Sequence, residues 1–498
     1  MLLKVKPSEA QERGAAFLLE RDAGALFYAT GSGKSVIQIM VAFAAIERGI
    51  VDKFVIVATV SSALEIKNDF KRHTDIVPFI IDSLEDVETF ASDLGKSIGV
   101  VRYNKLMRAV SIEGKVLGGL SEQGNNALGK LFNGHKVGFS FDEVHTLKNP
   151  KASVTAFYRL LRGHMTLCFG VTATGVMSNI YDLYHILNFI KPGCLGSVSK
   201  FNSLYVDREL KLLPNGRRIW EVLRLKNLEA LEHATASVSL KYYPERDVEF
   251  IKIESELSNK EEYLKAAKGI LEEIEKEKKA AHDAYKRGGD SEFTVKAHSA
   301  RLVDLQYVVN RDEGKKQAFV NYMKDYVEQG VLVFCAFHDT VDIVSGILGE
   351  CKGIEFLKIT GLENDVKRKE AKEWFCSCPK NKVLIISKAG GQSLNLQATS
   401  NVLFFDIPFG AGSATQVFGR VVREYSEFKS FKIAFLVTKG TVDEYKYDLL
   451  SSNKELFMKI FRNEVMPESA KLGSYNKQVI NSLKRDLLWK YGSSGRKF

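Results

Sequence analysis

Residues 28 to 35 read Tyr28-Ala29-Thr30-Gly31-Ser32-Gly33-Lys34-Ser35, between a short apolar run and a helical pattern of apolar side chains that begins at Ile37. This order predicts a strand, a glycine-rich loop and a helix. Two glycines let backbone N–H groups turn towards phosphate oxygens, while Lys34 can reach the β- and γ-phosphates. The Ser35 hydroxyl can hold Mg²⁺ at the positive end of the helix. We therefore predict a phosphate-binding loop for a nucleotide, formed by Thr30, Gly31, Ser32, Gly33, Lys34 and Ser35.

The loop departs at one position from the full phosphate-loop pattern, because Tyr28 stands where a glycine usually opens it. The closing Gly-Lys-Ser, in its setting between strand and helix, still follows the pattern. A glycine-rich turn with a chance Lys-Ser pair is the alternative interpretation, and the setting makes it much the weaker one.

Length and charge limit the class of protein. A chain of 498 residues is too long for one hydrophobic core and should form two or three domains. Hydrophobic residues make up 45% and charged residues 27%, as in an ordinary globular protein. The formal net charge of +10 favours a polyanionic partner but does not require one, since many soluble proteins are mildly basic.

Cysteine usage and apolar runs argue against two further classes. The six cysteines are too few and too scattered for a disulfide framework, and Cys376-Ser377-Cys378 lacks the spacing of a zinc site. The longest apolar runs, such as 54–60, fall far short of the roughly 20 residues that a membrane span needs. The first residues lack the charged-then-apolar pattern of a signal sequence. We therefore expect a soluble, intracellular protein of the cytoplasm with reduced thiols and no membrane contact.

Apolar strand patterns alternate with helical patterns over the first 175 residues. Residues 53–60 and 98–102 have the composition of buried strands; Ser61-Ser62 cap a helix after the first, and the second ends at Tyr103-Asn104. Such alternation predicts a parallel sheet with flanking helices. Residues 114–126 are poor in hydrophobic residues and rich in glycine, and we predict a surface loop or an insertion there.

An acidic pair follows another apolar strand pattern. Residues 136–141 lead into Asp142-Glu143-Val144-His145, so both carboxylates lie at the end of a predicted strand, where the ligand crevice of an α/β sheet forms. Asp142 can bind Mg²⁺ through water, and Glu143 can orient and deprotonate an attacking water. A solvated acidic turn is the alternative for the pair alone. The phosphate-binding loop about 110 residues upstream argues against that alternative.

Together these residues resemble motifs of superfamily 2 helicases, and the nearest branch is that of the Snf2-type DNA translocases. Residues 29–35 correspond to motif I, 142–145 to motif II and 172–174 to motif III. The resemblance implies that Gln11 reads the adenine of ATP, for which a surface glutamine on an amphipathic helix is the alternative. It also implies contacts with the nucleic-acid backbone at the strand ends of motifs Ia and Ib, from Ser61, Ser62, Tyr103 and Asn104.

The second half of the chain carries the remaining motifs. A charged helical pattern over 263–309, interrupted at 287–290, predicts a helical hairpin, which resembles the helical protrusions of Snf2-type motors. Strand patterns resume at 331–337, and residues 387–396 match motif V, whose glycines allow a phosphate to approach the backbone. The implied nucleic-acid contacts here are His338, Lys388, Ala389 and Gly390. For His338 alone, a polar residue at a strand end is the commoner interpretation.

The last motif puts two arginines three residues apart, on one face of a helix. Gln416, Gly419, Arg420 and Arg423 match the pattern Gln-x-x-Gly-Arg-x-x-Arg of motif VI. In isolation, the arginines would be an ordinary surface pair. The resemblance implies that Gln416, Arg420 and Arg423 complete the ATP site from a second α/β domain as catalytic residues.

Two departures from the Snf2 pattern leave the exact subfamily open. Gly175 stands in place of a proline, and residues 407–409 stand in place of Trp-Asn-Pro. The chain leaves little room for the accessory domains of chromatin remodellers, which favours a compact phage or prokaryotic motor that remodels forks or branched junctions. Residues 466–498 carry seven Lys or Arg against two acidic residues, with Tyr475, Trp489 and Tyr491 interleaved among them. They are predicted either to contact DNA or to dock as a helix on the second domain.

We therefore predict an α/β protein with two RecA-like P-loop domains, each a parallel sheet flanked by helices. Residues 1–235 form the ATP-binding domain, 236–312 a helical insertion, 313–465 the second domain and 466–498 a basic C-terminal extension. ATP and Mg²⁺ would bind in the cleft between the domains, and a monomer would move along duplex or branched DNA. The alternatives are an RNA helicase and an ATP-dependent clamp that binds nucleic acid without moving.

Overall fold

The computed structural model describes residues 3–29, 31–112, 119–173, 180–212, 216, 218–242, 247–287, 296–387, 396, 398–408, 417, 421–422 and 426–451. Its helices are α1 Glu9–Leu19, α2 Lys34–Glu47, α3 Val60–His73, α4 Leu84–Ser92, α5 Tyr103–Val110, α6 Glu122–Gly134, α7 Ser153–Leu161, α8 Ile180–Ile190, α9 Val198–Tyr205, α10 Leu228–Ala236, α11 Lys260–Lys286, α12 Lys296–Asn310, α13 Glu313–Tyr326, α14 His338–Glu350, α15 Asp365–Ser377 and α16 Val442–Ser451. Its strands are β1 Ala23–Tyr28, β2 Lys53–Ala58, β3 Phe79–Ile81, β4 Ile98–Arg102, β5 Val137–Asp142, β6 Leu167–Thr172, β7 Val206–Leu212, β8 Arg218–Leu225, β9 Ser239–Tyr242, β10 Asp247–Ser255, β11 Val331–Cys335, β12 Glu355–Ile359, β13 Lys382–Ser387, β14 Asn401–Phe404 and β15 Ser430–Thr438. Single 3-10 turns lie at Val144–Leu147, Arg162–His164 and Val327–Gln329.

Two parallel sheets carry the fold. The first has the strand order β3-β4-β2-β5-β6-β1-β9, and the second has the order β10-β15-β14-β11-β13-β12. Neighbouring strands within each sheet pair in parallel, and helices connect most of them. Strands β7 and β8 pair antiparallel with each other and belong to neither sheet. The prediction of two α/β units, each built on a parallel sheet, is confirmed.

Each sheet is buried on both faces. In β2, Val55 and Val57 pack into one apolar cluster of the first unit, and Phe54 and Ile56 pack into the cluster on the opposite face. The same alternation holds in β11 of the second unit. Strands with two buried faces need apolar side chains at nearly every position. This requirement explains why the central strands can be recognised in the sequence as continuous apolar runs.

The predicted helical insertion 236–312 begins with two strands instead. Strand β9 pairs with β1 at one edge of the first sheet, and β10 pairs with β15 at one edge of the second. Both are edge strands with several half-exposed side chains, so neither shows the apolar run of a central strand. The sheets therefore divide between residues 242 and 247.

The helical hairpin predicted within that range is present as α11 and α12. Tyr263 and Ala267 of α11 pack with Leu302 and Leu305 of α12, and the cluster continues to Val442 of α16. The Tyr263 hydroxyl also accepts a hydrogen bond of 2.8 Å from the Val442 backbone N–H. The base of the hairpin is therefore part of the second unit.

The prediction of a surface loop at 114–126 is wrong from residue 121 onwards. Helix α6 begins at Glu122, and the Ser121 hydroxyl caps it by accepting a bond from the Gly124 N–H. A Cβ at Gly124 would lie 2.1 Å from the Val110 carbonyl oxygen. Glycine is present here because two backbones approach closely, not because the segment is a turn.

Several predicted residues lie outside the described ranges. They are Thr30, Lys388, Ala389, Gly390, Gln416, Arg420, Arg423 and the segment 466–498. Within the described part of the chain, no helix is both long enough and apolar enough to cross a membrane.

Candidate nucleotide site

Three strand ends meet at one edge of the first sheet. Strand β6 lies between β5 and β1 and pairs in parallel with both, so all three carboxyl ends point the same way. The glycine-rich loop follows β1, Asp142 ends β5 and Thr172 ends β6. This is the edge at which parallel α/β sheets bind ligands.

The glycine-rich loop has the backbone that phosphate binding requires. Gly31 and Gly33 both have positive φ angles, 83° and 72°. A Cβ at Gly33 would lie 2.0 Å from the side-chain amide nitrogen of Gln11, so a larger residue would strain the backbone and displace the Gln11 side chain. Helix α2 begins at Lys34, whose Nζ lies 3.2 Å from the Tyr28 carbonyl oxygen and 3.3 Å from that of Ala29. Ser35 follows in the first turn and is half-buried.

The structure explains why tyrosine opens the loop. The Tyr28 side chain is fully buried, and its hydroxyl donates a 3.0 Å hydrogen bond to the Ala10 carbonyl oxygen of α1. A Cβ at Gly14 of α1 would lie only 3.0 Å from that hydroxyl oxygen. Tyr28 therefore faces the core between α1 and the sheet, away from the loop. The departure from the motif changes how the loop is anchored and leaves its glycines in place.

Gln11 connects α1 with the loop. Its side-chain oxygen accepts a 3.0 Å bond from the Ser8 N–H, and its side-chain nitrogen donates a 3.3 Å bond to the Ser32 carbonyl oxygen. Gln11 is buried, which argues against the alternative of a surface glutamine. The contact with adenine stays a prediction, and the structure adds that Gln11 supports the phosphate-binding loop.

Asp142 is held at the end of β5 by two residues of other elements. The Ser62 hydroxyl donates a hydrogen bond to its carboxylate, and the Tyr103 hydroxyl donates a 2.8 Å bond to its backbone carbonyl oxygen. Ser62 and Tyr103 are both buried. Their positions favour a role in supporting Asp142 over the nucleic-acid contact predicted for them. Resemblance of a motif gave their location in the chain but not the direction of their side chains.

The carboxylate of Asp142 suits a divalent cation. Burial and the neighbouring Glu143 carboxylate raise the pKa of Asp142 to about 7, against the opposing effects of the Ser62 hydrogen bond and the Lys34 charge. Asp142 and the Ser35 hydroxyl are hard oxygen ligands, which Mg²⁺ prefers. These two side chains therefore fit an Mg²⁺ ion. Among the described residues, no group of three His, Cys, Asp or Glu side chains could hold a metal ion.

Glu143 has an unusual backbone and a fixed carboxylate. Its φ of 48° and ψ of 53° are left-handed, which costs a non-glycine residue about 1–2 kcal/mol. The Thr172 hydroxyl donates a 3.0 Å bond to its Oε2, and His145 Nδ1 lies 3.1 Å from the same oxygen. His145 Nδ1 also lies 2.9 Å from the Thr172 hydroxyl oxygen. The three side chains form a closed triangle across β5 and β6.

This triangle determines the charge of Glu143. Burial raises the pKa of Glu143, but the His145 hydrogen bond and charge, the Lys34 charge and the Thr172 hydrogen bond outweigh that effect and hold the pKa below its usual value. The carboxylate is therefore charged and fixed by Thr172 and His145, so it can orient a water molecule and accept its proton.

Sequence reasoning placed His145 and Thr172 in their motifs but did not identify them as partners of Glu143. The available signal was that Thr172 ends one strand and His145 follows the end of its neighbour. Of the predicted nucleic-acid contacts that the structure describes, Asn104 is exposed on α5 and His338 is exposed at the start of α14. Ser61 lies in the first turn of α3, which begins one residue earlier, at Val60, under a Thr59 cap. Exposure leaves the predictions for Asn104 and His338 open.

The chain matches two protein families in order along its length. Residues 10–304 match the SNF2-related domain, and residues 314–424 match the helicase conserved C-terminal domain. The chain belongs to the SNF2-related family. The prediction of the Snf2-type branch is thereby confirmed, and the two parallel sheets are the tandem RecA-like units of this family.

Relatives of this SNF2-related chain are named as helicases. It is 25% identical over 337 residues to the uncharacterized ATP-dependent helicase YqhH of Bacillus subtilis, with 64% of this chain and 58% of the relative covered. It is 23% identical over 333 residues to an uncharacterized ATP-dependent helicase of Mycoplasma pneumoniae, with 65% and 30% covered. The chain thus spans between about a third and three fifths of the length of these curated relatives.

A solved structure of the same family also matches. It is the Sulfolobus solfataricus SWI2/SNF2 ATPase core in complex with dsDNA, at 17% identity and a TM-score of 0.38, with 92% of this chain and 94% of that chain covered.

Proposed function

We propose that this SNF2-related chain is an ATP-driven motor that moves along DNA. The observation that supports this most strongly is the meeting of three groups at one sheet edge: the phosphate-binding loop, Asp142 and the fixed Glu143 carboxylate. In this proposal Lys34 neutralises the β- and γ-phosphates, Asp142 and Ser35 hold Mg²⁺, and Glu143 orients the attacking water. When bound, Mg²⁺ would neutralise charge that develops on the phosphates.

The second unit would complete the site. Arg420 and Arg423 would stabilise the transition-state charge, and Gln416 would support them, as the motif VI pattern implies. Gln11 and Thr30 would contribute to ATP binding. Closure and opening of the two units during each ATP cycle would then move the nucleic acid stepwise relative to the protein.

We infer that the motor moves along DNA. The net charge of +10 suits a polyanion, and the family branch is that of the Snf2-type DNA translocases. The nucleic-acid contacts we propose are Ser61, Asn104, His338, Lys388, Ala389 and Gly390, together with the basic segment 466–498. We extend the proposal to forked or branched duplex DNA as the substrate and to a monomer in the cytoplasm as the working form.

ATP hydrolysis measured with duplex DNA, forked DNA, single-stranded DNA and RNA tests this proposal. We expect DNA to stimulate hydrolysis, and displacement of a triplex-forming strand ahead of the motor to depend on ATP. Lys34→Ala should abolish both activities, because the phosphates lose their closest fixed positive charge. The matched control is Lys352→Ala. It removes an exposed lysine that is far along the sequence from the residues at the sheet edge.

Each other outcome contradicts a defined part of the proposal. Stimulation by RNA alone would replace the DNA motor with an RNA helicase. Stimulation by DNA without triplex displacement would indicate an ATP-dependent clamp. Wild-type hydrolysis in Lys34→Ala would overturn the assignment of the loop.

A further inference from the structure

The antiparallel hairpin of β7 and β8 leaves the first unit and carries exposed apolar side chains. At its base, Val206 and Leu225 pair across the strands and are buried in the apolar core. Further out, Leu210 is 49% exposed, Trp220 is 55% exposed and Leu212 is 62% exposed. Single exposed apolar residues are ordinary, but three large ones beside each other are not. The outer part of the hairpin therefore needs an explanation beyond core packing.

The pairing of the strands sorts the side chains onto two faces. After a bulge at Asp207/Arg208, the register pairs Arg208 with Val222, Leu210 with Trp220 and Leu212 with Arg218. Directly opposed residues share a face, and alternate residues of a strand share a face. We call these six residues the tryptophan face. None of the six is acidic, whereas Glu209 and Lys211 belong to the opposite face.

The tryptophan ring is held in place by an arginine. The guanidinium carbon of Arg208 lies 4.3 Å from the centre of the Trp220 ring, a cation–π contact. The same guanidinium makes a hydrogen bond with the Tyr181 hydroxyl of α8, which is itself bonded to Asn202 at 2.6 Å. This arrangement anchors one side of a half-exposed aromatic ring to the first unit. A ring fixed in this way loses little entropy when another flat group stacks on it.

We propose that the tryptophan face binds unpaired bases of a DNA strand, with Trp220 stacking on a base and Arg218 contacting a phosphate. A flat aromatic ring stacks on any base, and the positive charge of Arg208 and Arg218 without a nearby acid on this face complements a polyanion. A protein partner with mixed charges would have no such match. The inference deepens the proposed function, because it gives the motor a contact with single-stranded DNA outside the helicase motifs.

Fluorescence of Trp220 tests the contact directly. The chain has three tryptophans, and Trp374→Phe with Trp489→Phe leaves Trp220 as the only one. Titration with an oligothymidine strand of about 15 nucleotides should quench this fluorescence with saturation, since stacking on a base alters the indole surroundings. Unchanged fluorescence under conditions where the strand demonstrably binds, by anisotropy of a labelled strand, overturns the proposal.

Affinity measurements supply the second arm. Trp220→Ala should weaken binding of single-stranded DNA by about 5- to 150-fold, which corresponds to about 1–3 kcal/mol for one stacked base. Trp220→Phe should restore most of that affinity, because a smaller ring still stacks. An equal loss in both variants, or an equal loss for blunt duplex DNA, contradicts stacking on unpaired bases. Thermal unfolding of each variant excludes a change in folding as the cause.

Charge on the two faces gives a matched pair of variants. Arg218→Ala and Lys211→Ala each remove one positive charge from the same hairpin, on opposite faces. Only Arg218→Ala should reduce the slope of log affinity against log salt, by about 0.7 for one lost phosphate contact with a single strand. Equal effects of the two variants would show that the hairpin attracts DNA only through its overall charge. This result would overturn the assignment of the face.

The experiments also separate this inference from the proposed function. DNA-stimulated hydrolysis in the wild type with no response of Trp220 refutes the tryptophan face and leaves the motor intact. Absence of stimulation by any DNA refutes the motor itself. Specific binding of a protein in place of DNA, with no quenching by the oligothymidine strand, would assign the face to a protein partner and refute the proposal.

Discussion

Asp443→Asn should destabilise the second unit strongly, because it breaks a buried ion pair. Lys315 of α13 and Asp443 of α16 are fully buried, and their nitrogen and oxygen lie 2.5 Å apart. Asp443 also accepts a 2.7 Å bond from the Gln306 side chain of α12. These residues belong to a buried polar network that joins the helical hairpin to the second sheet, made of Gln306, Asn310, Lys315, Asp406, Asp443 and Lys446.

The magnitude follows from the charges of this network. Its two lysines and two aspartates balance, so Asp443→Asn leaves one excess positive charge in the interior while preserving the side chain's shape. Removing one partner of a buried pair costs about 3–5 kcal/mol. Such a loss is a large part of the roughly 5–15 kcal/mol by which domains are stable. Replacing both partners, by Lys315→Met with Asp443→Leu, should cost far less because no unpaired charge remains.

The pH dependence has a definite sign. Burial lowers the pKa of Lys446 to about 8, although the nearby Asp443 and Asp406 carboxylates oppose this shift. Without the Asp443 charge, the pKa of Lys446 should fall further, and the folded variant then releases the proton below pH 8. The variant's free energy of unfolding therefore rises with pH in a window where that of the wild type does not. We expect the penalty of Asp443→Asn to shrink as the pH rises towards 8 and to stay constant above it.

Trp374 of α15 reports on the second unit, so the assay is denaturant unfolding followed by its fluorescence in a Trp220→Phe, Trp489→Phe background. The matched control is Asp342→Asn, which breaks an exposed pair with Lys358 at 3.4 Å. Exposed ion pairs contribute about 0–1 kcal/mol, so the control should change the free energy of unfolding very little. If Asp443→Asn costs no more than the control at pH 7, or if its penalty does not depend on pH, the reasoning about the buried charge is refuted.

Three further predictions concern the nucleotide site. Glu143→Gln should keep nucleotide binding and lose hydrolysis, measured by a fluorescent nucleotide and by phosphate release, because an amide cannot accept the proton of the water; equal loss of binding would make the residue structural. Arg423→Ala should keep ATP affinity within about tenfold and slow hydrolysis by about 10³, and normal DNA-stimulated hydrolysis would shift the finger role to Arg420. Tyr103→Phe should slow hydrolysis more than Tyr158→Phe does, because only the first removes a bond to the carbonyl at the end of β5; equal rates would show that this bond does not position the site.

The central strands and the nucleotide loop were predictable because their physical requirements produce a recognisable pattern in a short stretch of sequence. A strand with two buried faces is apolar throughout, as β2 is, and the loop needs glycines where φ is positive. The polar residues that follow such strands necessarily lie at the ligand edge of the sheet. The order of motifs then identified the family.

Other features depend on contacts between distant residues, and no local pattern reveals them. The hairpin of β7 and β8 has exposed side chains on both faces and charges on both strands, which resembles an ordinary polar segment. Gly124 resembles a turn residue until the Val110 backbone appears beside it. Ser62 and Tyr103 occupy positions that the family assigns to nucleic acid, and only the packing shows that their side chains turn towards Asp142.

Helix α8 connects the nucleotide site with the tryptophan face. On one side, Lys148, which follows the 3-10 turn that begins next to Glu143, lies 3.5 Å from the Asp182 carboxylate of α8. On the other side, the adjacent Tyr181 bonds to the arginine that holds the Trp220 ring. Neighbouring residues of one helix turn thus contact the segment that follows Glu143 and the arginine of the tryptophan face. If ATP at the first site and DNA at the second both displaced α8, their binding would be coupled in free energy, equally in both directions.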